Sequence, residues 1–162
     1  TYVASNPGVA DDPLGFTFID DKQRLARDLL EVRFMIEPQM ASMAAEHATN
    51  DQVVCIKELC DESERLAEAG EDYSAADTAF HNAIAESSGN LVVPRLMGVL
   101  KASVPLFIDV TGKKLVEETI RTHRGVADAI AARNPTAAHD AMYLHLVYNR
   151  NMIAEGTQEQ SE

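Results

Sequence analysis

The segment "DTAFH" sets Asp77 four residues before His81. On a helix that spacing puts a carboxylate and an imidazole on one face, one turn apart. Phe80, Ile84 and Ala85 share the face, so it points toward an apolar interior. Two later histidines have the same setting. His123 lies at helical spacing from Val116, Ile120, Val126, Ala127 and Ile130. His145 lies at helical spacing from Ala138, Ala141, Met142, Tyr148 and Met152. Each could be a core histidine satisfied by a carbonyl or a carboxylate. Separately unsatisfied, each would cost about 1–3 kcal/mol, whereas one divalent ion would satisfy all four groups together. Imidazole suits zinc, nickel, copper or iron, and a carboxylate extends the range to manganese. Spacing leaves the shared ion and the separate hydrogen bonds both open. His47, near a helix end, and His139, in a first turn beside Asp140, read as structural.

Several chemistries are excluded by pattern. The residues three before each histidine are Ala44, Thr78, Ile120, Thr136 and Met142, so the Glu-x-x-His pairs of a di-iron bundle are missing. No His-Glu-x-x-His helix, Gly-rich phosphate loop or Gly-x-Ser-x-Gly elbow occurs. Cys55 and Cys60 lack zinc-knuckle spacing. They diverge by about 140° around a helix, so they read as reduced thiols of a cytoplasmic protein. The net charge of -12 argues against direct contact with nucleic acid, where phosphates need Lys and Arg. No apolar run reaches the roughly 20 residues that span a bilayer, and the opening residues do not read as a signal peptide.

The elements that must position these residues are helical. At 162 residues and 46% apolar, the chain suits one domain with one core. The opening "TYVASNPGVADDPLG" has strand propensity followed by breakers, and reads as the end of an earlier element plus a linker, residues 1–17. From residue 18 onward the chain predicts an all-α antiparallel bundle of six to seven helices. The expected helices are 20–36, 38–47 after a break or fresh start at Pro38, 50–69 capped by Asn50 or Asp51, 74–87, 91–107, 115–133 and 135–154. The bundle should end near residue 155, with a frayed tail over 156–162.

Two further positions could meet a ligand. Arg33 sits among Leu29, Leu30, Phe34 and Ile36, where it pairs with Glu37 four residues on or receives a ligand carboxylate as a fork. Asn90 follows Gly89 where a helix begins, so capping is its default role.

Three stretches, "EVRFMIEPQMASMAAEHA", "DTAFHNAIAESSGN" and "THRGVADAIAARNPTAAHDAMYLHL", together resemble the effector-binding FCD domain of GntR-type transcription regulators, over residues 20–153. "TYVAS" resembles the last wing strand of the winged helix-turn-helix that precedes such domains. The resemblance implies a metal held by Asp77, His81, His123 and His145, with zinc first and nickel, manganese or iron as alternatives. It implies a small organic-acid effector bound to that ion, with Arg33 taking another oxygen and Asn90 bonding nearby. It also implies a homodimer, and DNA contact only through an N-terminal domain outside this chain. The expected function is therefore effector sensing rather than catalysis. A metal-dependent enzyme and a dimerisation module with a structural metal are the alternatives.

Overall fold

A computed structural model describes residues 15–100 and 116–159. A 3-10 turn (Phe16–Phe18) precedes six α-helices among the described residues: α1 (Lys22–His47), α2 (Asn50–Glu68), α3 (Ser74–Ser87), α4 (Val93–Leu100), α5 (Val116–Ala131) and α6 (Pro135–Glu159). No strand occurs among the described residues, so the all-α expectation holds. The "TYVAS" strand, the "VTGKK" loop and the end of the expected 91–107 helix lie outside the described residues.

Helix boundaries follow local chemistry. The Asp21 carboxylate accepts the Arg24 N–H at 2.9 Å and starts α1. α2 is capped by Thr49, not by Asn50 or Asp51 as expected. Thr49 Oγ1 accepts the Gln52 N–H at 3.2 Å while Gln52 Oε1 accepts the Thr49 N–H at 2.9 Å, a reciprocal capping box. α3 ends at Ser87, and Gly89 then turns the chain with a φ of 72°, where a Cβ would be strained and would press to 3.1 Å from His47 Cβ. α5 ends at Ala131, earlier than the expected Arg133, because Arg133 turns into the left-handed region. The Arg133 guanidinium then donates to Ala48 O, and to Asn50 Oδ1 at 3.1 Å, joining the α5–α6 turn to the α1–α2 turn. α6 runs to Glu159, so residues 156–159, expected as frayed tail, are helical.

Pro38 does not divide α1. An interior proline removes one hydrogen bond and costs about 3 kcal/mol. Here Leu25, Ala26, Leu29 and Leu30 before it, and Met40, Ala41, Ala44 and Ala45 after it, are all buried. Packing on both sides of the proline keeps one axis. α1 lies along α6 and also meets α3, α4 and α5, while α2 packs on α3 and α5. The core where these helices meet contains Met40, Ile56, Phe80, Ile84, Ile130 and Met142. Each fully buried side chain of that size contributes about 1.5–3 kcal/mol. Among the described residues, no helix is long and apolar enough to cross a membrane.

Both cysteines are free, Cys55 exposed and Cys60 buried. Burial pushes the Cys60 thiol up to about 11, so roughly one chain in a thousand carries that thiolate at pH 8. Alkylation of the native protein at pH 8 should therefore label Cys55 alone within minutes, and both thiols only after denaturation. Equal native rates at the two positions would contradict this packing.

Candidate functional site

Helices α3, α5 and α6 each turn one histidine into the same interior. His81, His123 and His145 are 1%, 1% and 3% exposed. Their ring centroids lie 5.3 Å (His81–His123), 4.6 Å (His123–His145) and 5.3 Å (His81–His145) apart. One nitrogen from each ring falls within 4.8 Å of the others. Phe80 closes one side, its ring 4.6 Å from that of His123 and 5.6 Å from that of His81. Asp77, on α3, is buried beside two of the three: Oδ1 is 3.4 Å from His123 Nε2, and Oδ2 is 3.9 Å from His81 Nε2.

α1 supplies the rest of the polar cluster. Arg33 and Glu37 are both buried and paired one turn apart, with Nε to Oε1 at 2.5 Å and Nη2 to Oε2 at 3.2 Å. Glu37 Oε2 also faces His81 Nδ1 at 3.0 Å, and Arg33 Nη2 is 3.5 Å from His81 Nε2. The Nδ1 contact is close but off-line, so it lacks normal hydrogen-bond geometry. His145 is held at both nitrogens: Nδ1 lies 3.1 Å from Thr122 Oγ1, and Nε2 lies 3.2 Å from Asn149 Nδ2. His123 Nε2 is buried with no hydrogen-bond partner.

The charges follow from burial set against pairing. Burial works against ionised Glu37, but Arg33 and His81 outweigh it and hold the carboxyl well below the usual carboxylate range. Burial likewise works against the Arg33 cation, yet Glu37 keeps it charged. Asp77 goes the other way: burial raises it, and His81 and Arg33 recover only part of the effect. Burial above all pushes His123 and His145 well below the ordinary histidine value, so both rings are neutral. Neutral imidazole is the form that binds a metal.

The three imidazoles form a group that could hold a divalent ion. Atoms about 2.1 Å from one ion stand roughly 3–4 Å apart, which brackets the 3.4 Å and 3.9 Å gaps at Asp77, while the ring nitrogens, spread within 4.8 Å, would close in slightly around an ion. An unpartnered imidazole nitrogen deep in the core is also what an ion would satisfy. Arg33 and Asn149 would have to yield the two Nε2 lone pairs they now face.

The structure thus gathers Asp77, His81, His123, His145 and Arg33, and leaves Asn90 elsewhere. Asn90 is exposed, and its Oδ1 accepts the N–H groups of Val92 at 2.8 Å and Val93 at 3.3 Å, so it caps α4. His47 is exposed at the end of α1, and half-buried His139 lies 3.0 Å from Asp140 Oδ1, both outside the cluster. The sequence pointed to Glu37 only as a partner of Arg33; its contact with His81 crosses between helices and has no local signal. Thr122 and Asn149 are further buried neighbours of His145 whose positions carried no motif.

Comparison with known proteins follows the same lines. The fold matches a solved GntR from Streptococcus agalactiae with a TM-score of 0.77 and 35% identity, over 93% of this chain and 69% of that one. In sequence the chain is 31% identical to the HTH-type transcriptional regulator LutR of Bacillus subtilis, over 82% of this chain and 64% of that protein. It is 27% identical to the galactonate operon transcriptional repressor of Escherichia coli, over 85% of this chain and 62% of that protein. The chain therefore spans somewhat under two thirds of these relatives. By name these are a GntR and two transcription regulators, a class of regulatory proteins and not of enzymes. Within that class the FCD domain family matches residues 28–148, and the chain belongs to it.

The Arg33–Glu37 pair carries a testable cost. Arg33→Met strands a buried carboxylate and should lower stability by about 3–5 kcal/mol. Adding Glu37→Gln removes that charge and should recover most of the loss in urea denaturation. A single variant within 1 kcal/mol of the parent would mean that the pair is not buried as described.

Proposed function

We propose that this domain senses a small organic acid at a divalent metal ion, for a DNA-binding regulator that acts as a homodimer in the cytoplasm. The observation that carries this reading is the unpartnered, buried His123 Nε2, facing Asp77 in a cluster of three imidazoles. His81, His123 and His145, with Asp77, would hold the ion, and zinc suits this donor set best, ahead of nickel, manganese or iron. Bound there, the ion supplies a Lewis-acid anchor for a carboxylate. The chain's own residues do the rest. Phe80 and the surrounding helices keep water away, which strengthens each polar contact. The Arg33 cation, beside His81 Nε2, adds the second positive charge an organic anion needs. Asn90, engaged in capping α4, has no part in this reading.

DNA contact belongs to a winged helix-turn-helix ahead of residue 18. The net charge of -12 disfavours contact between this domain and a phosphate backbone. The relatives named as operon regulators support this division of labour. Effector binding would bias the dimer between two arrangements, a coupling of about 1–3 kcal/mol, or five- to 150-fold in operator affinity.

Elemental analysis of the purified protein, followed by calorimetry with a panel of sugar acids, hydroxy acids and dicarboxylates, tests the proposal. One acid should bind the metal-loaded protein and raise stability by about 2.7 kcal/mol at a hundredfold excess over Kd. His123→Ala should lower metal content and abolish that rise. Unchanged acid affinity in His123→Ala would refute a metal-centred site. Metal without any acid binding would favour a purely structural ion.

A further inference from the structure

We infer that Thr122 and Glu37 are positioning residues: they fix His145 and His81 in the tautomer that carries its proton on Nδ1 and turns a bare Nε2 toward the centre of the cluster. The Thr122 side chain does this by proton count. A hydroxyl has one hydrogen, and that of Thr122 has a backbone acceptor, Glu118 O, at 2.7 Å. Toward His145, 3.1 Å away, Thr122 Oγ1 can then only accept, so Nδ1 must donate. The other ring nitrogen agrees: Asn149 Nδ2, a donor, stands 3.2 Å from Nε2 and needs a lone pair there.

His81 is biased in the same sense by its nearest neighbours at each nitrogen. Glu37 Oε2, 3.0 Å from Nδ1, is a carboxylate oxygen that pairs with the Arg33 guanidinium; off-line as it is, it acts on Nδ1 by charge and favours a proton there. A bare Nδ1 there would put the negative end of the ring 3.0 Å from a carboxylate oxygen. Arg33 Nη2, 3.5 Å from Nε2, belongs to a guanidinium and only donates, and it stands nearer that nitrogen than Asp77 Oδ2 does at 3.9 Å. Neighbours on α1, α5 and α6 thus select one tautomer for two rings on α3 and α6.

The consequence for an ion rests on the function proposed above. Both Nε2 lone pairs are prepared before any ion arrives, so binding need not begin with a proton shift inside the core. Loss of such an outer partner typically lowers metal affinity about 10- to 100-fold. Thr122→Val keeps the shape and removes the acceptor, whereas Thr122→Ser keeps both the hydroxyl and its backbone partner.

Long-range proton–nitrogen NMR of the metal-free protein, labelled with nitrogen-15 in histidine, reads the tautomers directly. His81 and His145 should each have a protonated Nδ1 and a bare Nε2. A protonated Nε2, or a doubly protonated ring, at either position would overturn the assignment. In Thr122→Val, His145 should move toward the Nε2-protonated form and zinc affinity, measured by chelator competition, should fall about tenfold or more. Thr122→Ser should restore both. Zinc affinity equal in wild type and Thr122→Val would refute the positioning role. If no form of the protein binds zinc while the tautomers are as stated, the metal reading fails and the tautomer assignment stands.

Discussion

Burial of Glu37 is the constraint on which the rest of the structure depends. The residue is 0% exposed and ionised, a combination that dehydration alone would forbid. Two cationic or proton-bearing neighbours make it tolerable: Arg33, one turn earlier on the same helix, and His81, from α3. The pairing is geometric as well as electrostatic. Glu37 can meet both only if α1 and α3 hold one rotation and one register. A slip of either helix would leave a charge in hydrocarbon, at a cost comparable to the whole stability of a domain this size. The polar cluster therefore specifies how the helices meet, and the apolar contacts around it supply the adhesion.

Much of this was legible in the sequence. The helical class, most helix positions and the inward faces of His81, His123 and His145 follow from apolar residues at three- and four-residue spacing. Asp77 follows from its position one turn before His81. Other features were illegible for physical reasons. Pro38 signals a break locally, and only the burial of α1 on both sides of it, a tertiary fact, overrides that signal. Asn50 and Asp51 are good caps by type, but Thr49 wins because Gln52 answers it across the first turn. The capping default for Asn90 is what the structure contains, while a ligand role for it had rested on resemblance alone.

The division between an inner and an outer shell also explains why sequence spacing finds one and not the other. The three histidines and Asp77 lie on apolar stripes, where a polar residue stands out. Thr122 and Asn149 touch His145 from α5 and α6, where threonine and asparagine are unremarkable in a helix. Arg124, next to His123 in sequence, faces the other way. It pairs with Asp61 at 2.6 Å and with Glu64, fastening α5 to α2. One helix thus carries a site residue on its inner side and a surface clamp on its outer side.

The corner closed by Arg133 has a mechanical meaning. That side chain ties the turn between α5 and α6 to the carbonyl of Ala48 and the side chain of Asn50, at the far end of α1. Any rearrangement of α5 and α6 against α1 then hinges on this knot. The 26 residues of α1 extend about 39 Å from it at 1.5 Å per residue. A lever of that length turns a rotation of a few degrees at the knot into a displacement of about 2–3 Å at Lys22, the end of α1 where the preceding chain enters.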